Sequence, residues 1–469
     1  MKAPALSLLT LLVLTGCSLV PQYQRPQAPI PVEWEQAADE ATAGASETAL
    51  PADEIPWQSF FTEPRILALV EQALEQNRDL RVAALNIERA RAQYGIRRAD
   101  LFPSIEAGVG QNAQRIPADL SPSGRSTVNR QYSADIGFTG FELDFFGRIR
   151  SLQEQALEEF LATEEARRAA QISLVAEVAG TWLTLAADQE RLAIAQNTLR
   201  AQSESHALTQ RSFELGAASA LDLNQVRSSL ERARADAARY TARVDQGRNA
   251  LALVVGGPVA PELLPAGLSA DHVTLPALPA GLPSVVLIRR PDILEAEARL
   301  RGANANIGAA RAAMFPRIAL TASAGSASSS LSNLFESGTR TWTFVPQVSV
   351  PIFNAGRLRS ALAVSRIDRE IAVAHYERAI QTAFREVADV LAERNTLTER
   401  LDAQHALLEA TGESYRLSEA RYKQGVDSYL GVLDAQRQLY AAQLELVDVQ
   451  LAETNSLVTL YKALGGGWQ

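Results

Sequence analysis

All 21 prolines of this 469-residue chain fall outside two windows, residues 123–257 and 352–469. Proline inside a helix costs about 3 kcal/mol, because it removes a hydrogen bond and clashes with the preceding turn. The two windows are therefore where long uninterrupted helices can form. Each opens on a glycine-containing corner, Phe145-Phe146-Gly147 or Phe353-Asn354-Ala355-Gly356, and then turns to helix formers. A helix from Arg148 to Phe213 would be roughly 100 Å long at ~1.5 Å per residue, far more than a compact domain uses. Gly180 lies inside it and weakens the helical preference there by about 1 kcal/mol.

The windows belong to a duplication. Leu101-Phe102-Pro103-Ser104-Ile105 returns as Met314-Phe315-Pro316-Arg317-Ile318, 213 residues on, and Phe213-Glu214-Leu215-Gly216 returns as Tyr422-Lys423-Gln424-Gly425, 209 residues on. Leu251 to Gly257, which closes the first copy, matches Leu460 to Gly466. A period this long exceeds the roughly 20–50 residues of solenoid modules. It marks a domain-sized unit built twice, as residues 64–257 and 291–469. Between the copies, residues 258–290 form a crossover, and seven prolines fall from Gly257 to Pro291 inclusive.

Ahead of each window the period changes from helical to alternating. Trp342, Phe344, Pro346, Val348, Val350 and Ile352 alternate with polar residues between Thr341 and Phe353. In the first copy Tyr132, Ala134, Ile136 and Phe138 alternate, and after Gly140 so do Phe141, Leu143 and Phe145, one residue out of step, which predicts a bulge at Gly140. Shorter alternating runs precede these, Ile105, Ala107 and Val109 in one copy and Ile318, Leu320, Ala322 and Ala324 in the other. Each copy thus offers one β-hairpin, at about 104–145 and about 317–353. Strands of roughly 10 residues match the thickness that a tilted transmembrane strand crosses. Within a bilayer every backbone group needs a partner, so only helices or a closed barrel can span it. Four strands close no useful barrel, so several chains, arranged cyclically, are expected to contribute. Two other readings of these residues stay open: hairpins packed on a soluble core, and a non-porous coiled-coil lipoprotein that tethers envelope layers.

After Gly425 the register of the next helix can be tested. Positions 430, 433, 437, 440, 444, 447, 451, 454, 458 and 461 read Leu, Leu, Arg, Tyr, Leu, Val, Leu, Thr, Val, Tyr, a heptad seam. Val432, Ala435, Leu439, Ala442, Leu446 and Val449 make a second seam on another face. Two seams predict neighbours on both sides, as in a sheet or cylinder of helices.

Composition removes other classes. The chain is 47% hydrophobic but only 6% aromatic, which suits Ala/Leu/Gln/Glu/Arg-rich helices. Beyond the first twenty residues no long apolar run predicts a spanning helix. A net charge of -9 offers no basic stripe for nucleic acid. Cys17 is the only cysteine, and His206, His272, His375 and His405 are isolated. With no phosphate-loop or nucleophile-elbow motif either, neither a catalytic site, a metal site nor a cofactor is expected. The chain begins with Lys2, an apolar stretch from Ala5 to Leu14 and then Thr15 and Gly16, a signal-peptide layout for residues 1–16. Residues 17–63 hold no basic residue after Arg25, and scatter acids among prolines and alanines. They read as an extended arm on the surface of the folded body, without a core of its own.

Several segments are jointly specific. Arg289-Arg290-Pro291-Asp292-Ile293, the stretch from Ala303 to Pro316, Tyr422-Lys423-Gln424-Gly425 leading to Leu433-Asp434-Ala435-Gln436, and the ending Leu460 to Trp468 together resemble the TolC/OprM family of outer-membrane efflux channels, in particular its OprM-type lipoprotein branch. The resemblance covers nearly the whole chain. It implies a fold that is mainly α with a transmembrane β part: a homotrimer whose hairpins form a twelve-stranded β-barrel in the outer membrane and whose long helices form an α-helical barrel in the periplasm. Such a protein is no enzyme. It is the exit duct of a tripartite pump, with a periplasmic adaptor (membrane fusion) protein and an inner-membrane transporter of the resistance-nodulation-division type as partners. Leu14-Thr15-Gly16-Cys17 resembles the lipobox of bacterial lipoproteins, which implies a covalent lipid on Cys17, and Ser18 after it favours sorting to the outer membrane. By the same resemblance Phe213, Gly216, Tyr422 and Gly425 mark the periplasmic tips that meet the adaptor, while Leu430 and Asp434 line the closed entrance. Asp427 and Gly431 depart from the family pattern, so tip salt bridges of other members are not carried over. A duct for secreted polypeptide or for metal ions is equally compatible with these residues.

Overall fold

The computed structural model describes residues 18–31, 54–268 and 284–468. The expected signal peptide, Cys17, most of the acidic arm and the middle of the crossover lie outside the described residues. Among those described, eight α-helices and four strands follow in the order α1 (Trp57–Phe60), α2 (Pro64–Gln76), α3 (Arg78–Ala99), β1 (Glu106–Ile116), β2 (Thr127–Leu143), α4 (Arg148–Glu214), α5 (Ala220–Val255), α6 (Pro291–Ala312), β3 (Arg317–Ser328), β4 (Arg340–Ser349), α7 (Arg357–Lys423) and α8 (Tyr429–Ala463). The proline-free windows hold the expected helices. α4 and α7 are each 67 residues long, and α4 runs unbroken through Gly180. One stretch of α4 is apolar enough to cross a bilayer by length and composition, but 56% of it is buried within the protein, as in a core helix.

The described chain falls into two compact units. The first gathers residues 18–27, 86–163 and 295–376. Its centre is one antiparallel sheet in the order β1-β2-β3-β4. Both expected hairpins are present, and β2 also pairs with β3 from Tyr132↔Ser328 to Leu143↔Ile318, joining the two copies into one sheet. The register shifts between Phe138 and Phe141, where Gly140 takes φ +68, so the bulge lies where the broken alternation put it. Pro346 is accommodated on an outer strand, where proline is tolerated. β4 stops at Ser349, short of the expected Phe353: Pro351 has no N–H to extend the ladder. Neither outer edge of the sheet is paired among the described residues. Every residue of β4, and all of β1 but Ile116, is exposed.

The same unit holds the start of the arm. The Leu19 carbonyl accepts from Arg311 (3.1 Å) and the Pro21 carbonyl from Asn304 (2.8 Å). Tyr23 Oη and Arg25 Nε donate to Glu297 at 3.0 and 2.8 Å, so residues 19–25 run extended along α6 from its last turn towards its first. The Glu297 side chain is 1% exposed and is also paired with Arg301. Burial pushes its carboxyl up, but hydrogen bonds from Arg25 and Tyr23 and the charge of Arg301 outweigh this and hold it below the usual carboxylate range. Burial and the neighbouring Glu297 push the Tyr23 hydroxyl up to about 12.

The second unit comprises residues 28–31, 54–85, 164–268, 284–294 and 377–468. Its core gathers Phe60, Ile66, Leu69, Val178, Trp182, Leu251 and Tyr461. Tyr461 stacks on Phe60 with ring centroids 3.7 Å apart and donates to the Ile55 carbonyl at 2.6 Å. Trp182 Nε1 donates to the Leu263 carbonyl at 2.9 Å. The surface arm therefore ends earlier than its composition suggests. From Ile55 the chain is core, because Trp57, Phe60 and Phe61 supply apolar area that the surrounding acids and prolines do not cancel.

Equivalent helix ends share one cap. The Gly256 N–H donates to Ala252 and Leu253 and the Gly257 N–H to Ala252, while 209 residues on Gly465 donates to Lys462 and Gly466 to Tyr461. Gly256 takes φ +86, and a Cβ there would lie 2.5 Å from the Gln76 carbonyl oxygen. Gly216, at φ +75, has open space around it. A left-handed non-glycine residue costs roughly 1–2 kcal/mol at either site, so Gly256→Ala is expected to lower the thermal midpoint by clearly more than Gly216→Ala. Equal shifts would show that the Gln76 contact does not constrain the fold.

Candidate functional site

The two helix-to-helix turns are built alike. At the end of α4 the Gly216 N–H donates to Phe213 (2.9 Å) and the Ala217 N–H reaches back to Ser212 (2.8 Å). At the end of α7 Gly425 donates to Tyr422 (2.9 Å) and Val426 to Arg421 (3.0 Å). Both are Schellman caps with glycine in the left-handed position, at φ +75 and +72. This is why the sequence repeats a glycine there: only glycine adopts that conformation without cost.

The helices that leave the two turns start differently. Ser219 caps α5 through a capping box: its hydroxyl oxygen accepts from the Asp222 N–H at 3.1 Å, and the Asp222 carboxylate accepts from the Ser219 N–H at 3.1 Å. These hydrogen bonds from Ser219 hold the Asp222 carboxyl below its usual range. In the second copy Ser428 is the N-cap with no side-chain bond, and Gly431, which stands where Asp222 stands in the first, has no carboxylate to close a box. An exposed ion pair takes over at this turn, Arg421 donating to both oxygens of Asp427 at 2.6 and 3.1 Å. It holds the Asp427 carboxyl down. The S-x-x-D pattern of residues 219–222 was a readable signal for the box; the Arg421–Asp427 pair has no helical spacing to announce it.

Packing sets which face of α8 is free. Tyr429, Val432 and Leu433 are buried with Val226 and with Tyr415 and Tyr422. The Tyr422 and Tyr429 rings meet edge to face at 5.1 Å, Tyr429 Oη bonds Ser205 Oγ, and Gln202 Nε2 donates to Gln436 Oε1 at 2.6 Å. With that face fixed, Leu430 is 56% exposed and Asp434 follows it one turn later on the exposed side, accepting from Gln438 Nε2 at 2.8 Å. Leu430 and Asp434 thus share a face that no described residue covers. Phe213 and Tyr422, equivalent in the duplication, diverge: Phe213 is exposed beside Leu215, which is 84% exposed, whereas Tyr422 packs inward on Tyr429.

Both seams of α8 are visible. Val432, Ala435, Ala442 and Val449 of the second are buried, as are Leu433, Val447, Val458 and Tyr461 of the first. Only towards the turn, at Leu430 and Arg437, does the first seam emerge into solvent.

Comparison with known proteins agrees with this architecture. The family model described as "Outer membrane efflux protein" matches residues 69–257 and 282–466, one stretch in each copy. The antibiotic efflux pump outer membrane protein ArpC of Pseudomonas putida is 50% identical over 460 residues, 98% of this chain and 94% of that protein. The solvent efflux pump outer membrane protein SrpC, also of Pseudomonas putida, is 49% identical over 469 residues, 100% of this chain and 99% of that protein. Among solved structures, the open state of the Neisseria gonorrhoeae MtrE outer membrane channel superposes with a TM-score of 0.85 at 37% identity, covering 97% of this chain and 99% of that one.

The unequal caps are open to measurement. An N-cap side chain contributes about 1 kcal/mol, so Ser219→Ala should speed amide exchange in the first turn of α5 roughly fivefold, while Gly431→Asp should slow it in the first turn of α8. The box also titrates: with the Asp222 pKa lowered in the folded state, its contribution is full above the ordinary aspartate value of about 4 and is lost as pH falls through the lowered one. Exchange at residues 428–433 that Gly431→Asp leaves unchanged would contradict the capping account.

Proposed function

The chain belongs to the outer membrane efflux protein family, and from that premise we propose that three copies join edge to edge into a closed β-barrel in the outer membrane, continued by their long helices as the exit duct of an efflux pump. The observation that carries this reading is the sheet. β1 and β4 have unpaired outer edges, both are exposed along their length, and Trp342, Phe344 and Val348 form an apolar stripe open to the surroundings. In hydrocarbon no water satisfies such edges, so the strands must close on one another. Three copies supply twelve strands, an even number within the range of single-chain outer-membrane barrels, and a cyclic arrangement closes without leaving an edge.

Such a duct conducts passively, and the energy comes from an inner-membrane transporter reached through a periplasmic adaptor. The turns at Phe213, Gly216, Tyr422 and Gly425 are the adaptor's contact, a role supported by the exposed Leu215, Leu221 and Val426 beside them. Leu430 and Asp434 form the gate. Three Asp434 carboxylates brought together near an axis repel one another unless protonated or bound to a cation, so an opening movement relieves them. The cargo is small molecules: relatives are named for antibiotic and solvent efflux. Cys17 carries the lipid. The arm that follows it supports this, since Leu19 is held at the last turn of α6, shortly before that chain segment enters β3.

Purified protein added to planar lipid bilayers should give discrete conductance steps, and Asp434→Ala should raise the conductance of the closed state. Failure of the wild-type chain to conduct would contradict the duct. Conductance unchanged in Asp434→Ala would contradict the acidic gate alone.

A further inference from the structure

The strand-to-helix corners of the two copies differ in charge. In the first, Arg148 opens α4 and donates through Nε and Nη2 to the two oxygens of Glu142, each at 2.8 Å, while Arg317 of β3 pairs with the same carboxylate at 2.7 Å. The Glu142 side chain is 8% exposed. Arg357 is the equivalent of Arg148, 209 residues on, and likewise opens its long helix. The same step takes Glu142 to Pro351. Arg357 has kept its charge and lost its acid. Among the described residues its side chain has no hydrogen bond or ion pair.

Among the charged groups of the sheet that share this condition, which include Arg130, Asp135 and Arg340, one stands at the start of the open edge. Glu106 begins β1 on the sheet's open edge, is exposed, and its side chain has no partner among the described residues. In the duplication Ile105 matches Ile318, so Glu106 matches Ala319, and Ala319 is the residue that lies across the ladder from Glu142. If the open edge of β4 receives β1 of another copy in the register that β2 uses for β3, Glu106 arrives opposite Pro351, as Ala319 lies opposite Glu142. The carboxylate has then moved from the strand that leads into the helix to the strand beside it. The face is the same: Glu106 alternates with Ile105 and Ala107, as Glu142 alternates with Phe141 and Leu143.

We propose that Glu106 of one copy forms an ion pair with Arg357 of the next, an inter-subunit bridge that repeats at every seam the Glu142–Arg148 bridge within the chain. It deepens the edge-to-edge reading and rests on it. A one-residue slip at the seam turns every side chain to the wrong face, and a two-residue slip separates this pair. The bridge thus selects a single register where the chain's own connectivity imposes none.

The test uses the full-length protein in detergent, with Glu106→Cys and Arg357→Cys combined in one chain and a short bifunctional thiol reagent. Cross-linked dimers and trimers on a denaturing gel, absent from wild-type protein and from either single variant beyond a dimer, are the expected result. As a second readout, Glu106→Arg and Arg357→Glu should each reduce the fraction of protein recovered as trimer, and the double variant should restore it. A trimer that forms no 106–357 cross-link, with a double reversal no better than the singles, overturns the bridge and leaves the duct standing. Loss of trimer in Arg357→Glu with none in Glu106→Arg also overturns it, and assigns Arg357 to lipid headgroups instead. A wild-type protein that is a single chain in detergent removes the edge-to-edge reading itself.

Discussion

A backbone N–H or C=O that faces hydrocarbon without a partner costs several kcal/mol, and within one chain two whole strand edges have no partner among the described residues. β1 and β4 are neither short nor bulged, and their charges, Glu106, Arg115 and Arg340, lie at the strand ends, with Pro346 their one proline. They are 11 and 10 residues long, and Val109, Trp342, Phe344 and Val348 are exposed on them. No segment among the described residues covers either edge. The sheet is therefore incomplete within one chain, and the proposed assembly follows from that.

Duplication explains how the incomplete sheet arises, and divergence between the copies shows where they have taken separate roles. Both copies run helix, hairpin, long helix, shorter helix, and both close their helices with the same glycine caps. Two of the differences lie at element ends. The first copy has a capping box at its turn and a carboxylate at its strand-to-helix corner; the second has an exposed ion pair at its turn and an unpartnered arginine at its corner.

Much of this was legible from local pattern. Proline-free windows located α4 and α7 because a single proline would break either helix. Period-two alternation found the strands, and its one-residue slip found the bulge at Gly140. Leu430 departs from its pattern, since the first position of a heptad seam is expected to be covered and it is 56% exposed. What escaped depended on distance in sequence. The β2–β3 pairing joins residues nearly two hundred apart, and Tyr23 and Arg25 meet Glu297 from further still. No local period encodes such a contact. Trp57, Phe60 and Phe61 were hidden differently, since the acidic, proline-rich composition around them describes the arm and not the three aromatic side chains that anchor its end.

Amide hydrogen exchange along β1 and β4 of the intact protein in detergent tests the central claim most directly. Closure by neighbouring copies predicts that the outward-facing amides of both edge strands are protected to the same degree as those of β2 and β3. Rapid exchange along those two edges, with β2 and β3 protected, would mean that the sheet ends where the chain ends.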